Sequence, residues 1–230
     1  MIVIWIIASI VSSFMNWLVS TIINNDSLLR SRSRCDFCQH TLFWFDLIPF
    51  FSFIFLAGKC RNCKHTLNKK EWFIELFFPL LIFYLFMNAQ SFEHFLIHFS
   101  IAFILITESL IDIQLQIVYD TTHYLLLALT GLLRLLNGIP LTDSLTFCIL
   151  LTTALYVVSN KTGGIGMGDV KLLGVLSYLL SLDQFVVAWY ITIISSLTYS
   201  LFLLLKGHGT KTRIPFIPFI SIGVIATLLI

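Results

Sequence analysis

The sequence contains few charged residues. Only 11% of its 230 residues are Asp, Glu, Lys or Arg, whereas a water-soluble domain of this size carries about 25%. Hydrophobic residues make up 58% of the chain, which includes 22 phenylalanines. This composition excludes a water-soluble fold, a disordered chain, a collagen-like fibre and a secreted disulfide scaffold. It predicts a polytopic membrane protein built as an all-α helix bundle.

The sequence also lacks an excess of one charge sign and several familiar catalytic motifs. Fourteen Lys and Arg against twelve Asp and Glu give a net charge of +2, which does not predict a nucleic-acid partner. The patterns G-x-S-x-G and H-E-x-x-H, a phosphate loop and a strand-turn-helix dinucleotide unit do not occur. The remaining polar residues must therefore carry any chemistry.

The first apolar stretch has no basic segment before it and no small-residue cleavage site after it. It therefore predicts a retained transmembrane helix over 1–23, not a signal peptide. A polar loop follows at 24–72, and a transmembrane bundle is expected over 73–230. Because a crossing helix needs about 20 apolar residues, we expect about eight spans, the later ones near 73–88, 94–112, 123–137, 144–159, 169–182, 185–205 and 214–230.

Basic residues are concentrated on one side of this topology. The 24–72 loop holds eight of the fourteen Lys and Arg, and five more lie in or beside the linkers near 113–122, 160–168 and 206–213, which are on the same side. Only Arg134 lies near the opposite face. Because cytoplasmic loops carry the excess of Lys and Arg, the loop is predicted to be cytoplasmic and both termini outside.

The loop contains two C-x2-C pairs separated by 21 residues, at Cys35 and Cys38 and at Cys60 and Cys63. Four such thiolates form a closed, tetrahedral site for a structural Zn²⁺ ion, and a reducing compartment disfavours disulfides. The alternatives are a redox dithiol and a metal-free loop. The aromatic segment 42–57 between the pairs is predicted to lie at the membrane interface or against the helix bundle.

Two aspartates at the predicted cytoplasmic edge are the candidate catalytic groups. Asp112 ends one span, and Asp169 opens another within the glycine-rich run 163–171, in which Gly166 and Gly168 allow close backbone approach. Taken alone, Asp169 is better explained as a helix cap after a flexible loop. As a pair, the two carboxyls can share a proton and activate water for peptide hydrolysis.

Motifs along nearly the whole chain resemble the type IV prepilin leader peptidases, including the enzymes that process competence pseudopilins, which are aspartic peptidases of the GxGD type. The matching segments are Ser13–Asn16, Ser31–Cys35, Trp44, Leu47–Pro49, Gly58–Cys63, Glu75, Ile111–Asp112, Gly166–Lys171 and Pro215–Pro218. The resemblance implies that Asp112 and Asp169 are the catalytic pair. It also implies cleavage of a basic leader, after a glycine, from prepilin or pseudopilin substrates at the cytoplasmic face of the bacterial inner membrane.

Many members of that family also methylate the new N-terminal amine with S-adenosylmethionine, so the resemblance extends this expectation to the chain. Glu75 would then act in methylation or amine binding, or else pair with a Lys or Arg. The chain departs from the family pattern at Asp36, Val118–Tyr119, Glu71–Trp72 and Ile217. None of these positions is one of the two aspartates.

Three further residues have two interpretations each. Glu108 lies four residues before Asp112 on the same helix face; it either tunes that aspartate or, the favoured interpretation, makes a structural hydrogen bond. Asp120 is expected to be a cap or turn residue rather than a third catalytic group. Lys171 either holds the charge of Asp169 or contacts lipid headgroups of the bilayer.

Two other functions use the same residues. A proton-coupled transporter would carry protons on the paired aspartates, but internal repeats and midplane broken helices, which are typical of transporters, are not evident in the sequence. A membrane methyltransferase with a vestigial aspartate pair is the other alternative. Proton flux in liposomes, or methylation without cleavage, would distinguish them from a peptidase.

Overall fold

A computed structural model describes residues 2–24, 35, 37–38, 40–41, 59–66, 69–140, 142, 144–207, 209 and 212–229, without the side chains of 2–3, 69–73 and 75. The aromatic segment 42–57 lies outside the described residues. So do Asp36 and the side chain of Glu75.

Within these residues the helices are the main regular structure, and Lys59 and Thr66 form an isolated antiparallel bridge. The helices are α1 (Ile2–Ile23), α2 (Lys69–Asn88), α3 (Phe92–Leu115), α4 (Asp120–Leu136), α5 (Leu145–Thr162), α6 (Met167–Leu179), α7 (Leu182–Leu205) and α8 (Ile217–Leu228). The all-α class predicted from composition is confirmed. Each helix falls, in order, on one of the apolar segments predicted as spans.

Four of the described helices are long and apolar enough to cross a membrane. They are α1, α3, α5 and α7, with apolar stretches at Ile4–Ile23, Phe92–Leu115, Leu145–Thr162 and Leu182–Leu205. Shorter apolar helices lie at Leu76–Asn88 and Ile217–Leu228. The chain is therefore a helical membrane protein, and the count of about eight crossings stays a prediction.

Local sequence explains where several helices begin and end. Ser181 caps α7 in a capping box, in which its hydroxyl accepts from the Gln184 N–H and the Gln184 side chain accepts from the Ser181 N–H. Helix α5 is capped at its C-terminus by Gly163, whose φ of 61° is the left-handed conformation that glycine adopts without strain. Gly163 thus starts the loop that leads to Asp169.

The chain divides into two compact units, Met1–Phe92 and Glu93–Ile230. In the first unit α1 packs against α2: Trp5 stacks on Phe83 with ring centroids 5.9 Å apart, and the Ser12 hydroxyl donates to the Ile74 carbonyl at 3.4 Å. Met15 and Phe78 are buried. The first unit thus has a small apolar core of its own.

In the second unit α3, α4, α6, α7 and α8 share one core, which includes Leu105, Leu126, Leu172 and Ile220. Helices α5 and α7 present most of their apolar side chains outward, with Leu150 and Leu205 strongly exposed. Exposed aliphatic side chains on helices of this length are typical of lipid-facing surfaces.

Polar contacts between helices fix the ends of this core. The Ser109 hydroxyl of α3 lies 2.7 Å from the Ser221 hydroxyl of α8. A side chain at Gly223 would collide with the Ala188 carbonyl, so α8 approaches α7 closely. Arg134 of α4, predicted near the outer face, is buried and donates to the Tyr178 carbonyl near the end of α6. These contacts join α3 to α8, α8 to α7 and α4 to α6.

Candidate active site

The four cysteines of the two C-x2-C pairs converge. Their sulfur atoms all lie within 4.8 Å of one another, with Cys35 Sγ 3.8 Å from Cys63 Sγ and Cys38 Sγ 4.0 Å from Cys60 Sγ. An ion with Zn–S bonds of about 2.3 Å holds tetrahedral sulfurs about 3.8 Å apart. The donor set and its dimensions therefore fit a structural zinc ion.

Backbone geometry supports each cysteine pair locally. The Cys35 N–H donates to the His40 carbonyl at 3.0 Å, and the Cys60 N–H donates to the His65 carbonyl at 2.8 Å. The backbone N–H groups of Cys63 and Asn62 lower the pKa of the Cys60 thiol to about 7, which favours the thiolate that binds metal. The two pairs thus adopt equivalent turns, and a zinc ion bound there would join them.

Asp112 lies near the end of α3 and is buried, with 6% of its surface exposed. Its Oδ2 accepts from the backbone N–H of Ile217 at 3.1 Å, and the Phe216 N–H also points to it. These N–H groups open α8, where the helix dipole favours negative charge. The backbone supplies this contact, so it does not depend on the side chain at Ile217, where the chain departs from the family pattern.

Asp169 is the third residue of α6 and is partly exposed. The Gly166 N–H donates to its carboxylate, and a Cβ at Gly166 would lie 3.1 Å from Asp169 Oδ2. A Cβ at Gly168 would lie 2.8 Å from the Val118 side chain, closer than real Cβ contacts. The glycines here provide space, because Gly166 itself has an ordinary backbone conformation with φ of −64°.

The fold brings the carboxyl groups of α3 and α6 into one site. Asp112 and Asp169 are near enough to repel each other electrostatically, and Glu108 interacts with both. Glu108 is 2% exposed, and its Oε2 has no hydrogen-bond partner among the described residues. Three acid groups therefore share this region, whereas the sequence pattern identified two as a pair.

The first turn of α4 borders this region with side chains that the sequence did not point to. The Thr122 hydroxyl contacts Glu108 Oε1 and lies 2.5 Å from the Tyr119 carbonyl oxygen. His123 is buried beside the Gly168 backbone, and neither of its ring nitrogens completes a hydrogen bond within the described structure. A single Thr or His in an apolar helix gives no sequence signal of such a position.

Lys171 and Asp120 form an ion pair between α6 and α4. Lys171 Nζ lies 2.6 Å from Asp120 Oδ1, and half of the lysine side chain is exposed. The hydrogen bond and positive charge of Lys171 hold the pKa of Asp120 below its ordinary value. The pair ties the first turn of α4 to the helix that carries Asp169.

Family models match most of the chain. The model described as Bacterial Peptidase A24 N-terminal domain matches residues 6–89, and the model of the Type IV leader peptidase family matches residues 99–204. The second match includes the region of Asp112, Asp169 and Glu108. No solved structure matches this chain.

Curated proteins with related sequences are named for processing prepilins. The chain is 29% identical over 213 residues to the prepilin leader peptidase/N-methyltransferase of Bacillus subtilis, which covers 86% of this chain and 81% of that protein. It is 28% identical over 208 residues to the protein of the same name from Aeromonas salmonicida, covering 86% and 70%. The type 4 prepilin-like proteins leader peptide-processing enzyme of Escherichia coli is 29% identical over 213 residues, covering 88% and 77%.

Proposed function

Since this chain belongs to the type IV prepilin leader peptidase family and is a prepilin peptidase, we propose that Asp112 and Asp169 are its catalytic pair. The observation that supports the pair most directly is their convergence: two acids from separate helices, 57 positions apart in the chain, interact electrostatically in one partly buried site. Adjacent carboxyls in such a site cannot both ionise cheaply, so they share a proton.

The shared proton gives the pair two roles in peptide hydrolysis. The ionised carboxylate takes a proton from a water molecule, whose oxygen attacks the scissile carbonyl carbon. The protonated carboxyl donates a hydrogen bond to the carbonyl oxygen and later a proton to the departing amine. The C–N bond breaks, and the pair returns to its singly protonated state without a covalent intermediate.

The proposed substrates are prepilins or pseudopilins, cleaved between a basic leader and the apolar helix that follows it. The charge distribution supports a site and cysteine loop that face the cytoplasm, with both termini outside and about eight membrane crossings. In this topology 1–23 is the first crossing, 24–72 the zinc-bound loop and 73–230 the peptidase bundle. Zinc bound by the four cysteines would supply structure to the loop, and no step of the hydrolysis passes through it.

We extend the proposal to N-methylation of the new amine, with S-adenosylmethionine as methyl donor. The support is the name of the Bacillus and Aeromonas relatives, which includes N-methyltransferase. Mass spectrometry of the processed substrate tests this separately from cleavage. A mature product that carries no methyl group, produced by cells that supply the donor, would limit the activity of this chain to cleavage.

The decisive test of the peptidase is co-expression with a prepilin-like substrate. Asp112→Asn and Asp169→Asn should each reduce processing by about 10³-fold, because each removes one half of the acid–base pair. Asp183→Asn is the matched control, since Asp183 is an exposed carboxylate in the first turn of α7. Full processing by either site variant, at expression equal to that of the control, would refute the mechanism.

A further inference from the structure

The Thr122 hydroxyl stands between two oxygen atoms. Its Oγ1 is in contact with Glu108 Oε1 of α3 and lies 2.5 Å from the Tyr119 carbonyl oxygen, which also accepts the Thr122 N–H at 3.2 Å. Two oxygen atoms in hydrogen-bond contact need a proton between them. Two protons are therefore needed, one on each side of Oγ1.

A hydroxyl supplies only one of these protons. The Tyr119 carbonyl can only accept, so the Thr122 O–H donates to it, and the proton on the other side must come from Glu108. A carboxylate has no proton to give, whereas a carboxylic acid has one. The count of donors and acceptors around the Thr122 hydroxyl thus assigns a proton to Glu108.

The surroundings of Glu108 agree with this assignment. The side chain is 2% exposed, and its Oε2 lacks a donor among the described residues. An ionised carboxylate with a buried oxygen that lacks a donor is strongly unfavourable, whereas the neutral acid is not. The charged groups that face Glu108 are Asp112 on its own helix and Asp169 on α6, and both repel a negative charge there.

We propose that Glu108 is a positioning residue of the peptidase: a neutral carboxylic acid that donates to Thr122 and keeps the net charge of the neighbouring aspartate pair at minus one. This inference rests on the proposed function of Asp112 and Asp169. An ionised Glu108 would place a second negative charge beside the pair and oppose the ionisation of the carboxylate that activates water. The neutral acid also joins α3 to the first turn of α4 through Thr122.

The pH dependence of cleavage distinguishes a neutral Glu108 from an ionised one. In Glu108→Gln the amide is neutral and can donate to Thr122, so we expect a rate within about threefold of wild type at the optimum. The acid limb of the pH–rate profile, where the rate falls as the pH decreases, should keep its position, because the charge on the aspartate pair is unchanged. The alkaline limb of that profile should keep its position or move to higher pH. In the wild type, loss of the Glu108 proton stops the reaction, and Gln has no such proton to lose.

An ionised Glu108 gives the opposite result. Its replacement by Gln would then remove a negative charge beside the aspartates, and both limbs would move to lower pH. A downward shift of either limb by more than about half a pH unit overturns the proposal. Glu93→Gln is the matched control, because Glu93 lies on the same helix in its first turn, far along α3 from Asp112.

Substitutions at Thr122 test the donor–acceptor chain. Thr122→Val removes the acceptor for the Glu108 proton and should lower the cleavage rate about tenfold, whereas Thr122→Ser keeps the hydroxyl and should restore it. Thr130→Val, on the same helix, removes a buried hydroxyl that bonds only the Leu126 carbonyl within the described structure. Equal losses in Thr122→Val and Thr130→Val, or no rescue by Ser, would contradict a specific role for this contact.

Infrared difference spectroscopy of the purified full chain tests the proton without any substrate. Wild type minus Glu108→Gln at neutral pH should show the carbonyl stretch of a protonated carboxylic acid. A lost carboxylate band instead would overturn the proposal. If wild type fails to cleave prepilin, the proposed function fails while this spectrum still reports the state of Glu108.

Discussion

The cysteine cluster and the carboxyl site differ in how far apart in the chain their parts lie. Each half of the cysteine cluster is a turn of a few residues, whose backbone hydrogen bonds close locally. The carboxyl site draws on α3, the first turn of α4, the start of α6 and the start of α8. The Asp112–Ile217 hydrogen bond alone joins residues 105 positions apart.

This difference decides what each region needs in order to form. The cysteine pairs need their own four side chains and an ion that joins them. The carboxyl site needs several helices to pack correctly before its acids meet, so a change that leaves every acid in place can still disable it. Three substitutions test this contrast, in order of decreasing effect.

The largest effect is expected from Cys60→Ser. The loss of one thiolate should reduce zinc content from about one ion per chain to near zero, because a closed site needs all four ligands. Metal analysis of the purified chain by mass spectrometry measures this. Cys148→Ser, at a cysteine outside the cluster, should retain zinc, and so should Asp112→Asn. Zinc loss in Asp112→Asn would mean that the cysteine cluster and the carboxyl site do not form independently.

An intermediate effect is expected from Gly168→Ala. The added methyl would collide with Val118, which lies in the segment between α3 and α4, so the turn that carries Asp169 must shift. We expect cleavage to fall about tenfold, since small displacements of catalytic groups are costly. The measurement is the initial rate with a prepilin substrate at matched expression.

Two companions sharpen that result. Gly164→Ala adds the same methyl within the same glycine-rich run with only an ordinary contact, 3.5 Å from Thr162 Oγ1, and should be active. The double variant Gly168→Ala with Val118→Ala should recover much of the lost rate because it removes the colliding side chain. A double variant as impaired as Gly168→Ala would show that the collision with Val118 is not the cause.

The smallest effect is expected from Asp120→Asn, which removes the exposed ion pair with Lys171. Because Lys171 lowers the pKa of Asp120 in the folded chain, the pair stabilises the fold at pH values above the ordinary Asp range, and this contribution is lost as pH falls through the lowered pKa. Thermal unfolding in detergent should therefore show a small deficit of the variant near neutral pH that disappears in acid and in high salt. A deficit that is independent of pH would point to packing instead.

Local features of the chain were predictable to different degrees. Apolar run lengths located all eight described helices to within a few residues, because hydropathy and helix length are local properties. The C-x2-C spacing predicted the cysteine cluster for the same reason. The predicted boundaries of the loop, the orientation and the roles of Asp112 and Asp169 remain predictions.

Contacts between distant helices were not predictable from the pattern. No periodicity in the sequence indicates that the Ile217 N–H would meet Asp112, or that Thr122 would meet Glu108. The burial of His123 and Arg134 depends on which face each helix turns to its neighbours, and an almost uniformly apolar helix gives little information about that. Only packing in three dimensions determines these positions.

Arg134 also affects how the chain is oriented in a membrane that carries a voltage. The residue is 6% exposed, and its guanidinium donates twice to the Tyr178 carbonyl and lies 4.4 Å from the Tyr178 ring centre. In the proposed topology every other Lys and Arg lies on the cytoplasmic side. A membrane voltage that is negative inside acts on each unit charge with about 2.3 kcal/mol per 100 mV across the bilayer. It would then favour the cytoplasmic position of all the other Lys and Arg residues, while Arg134 is held within the folded helices.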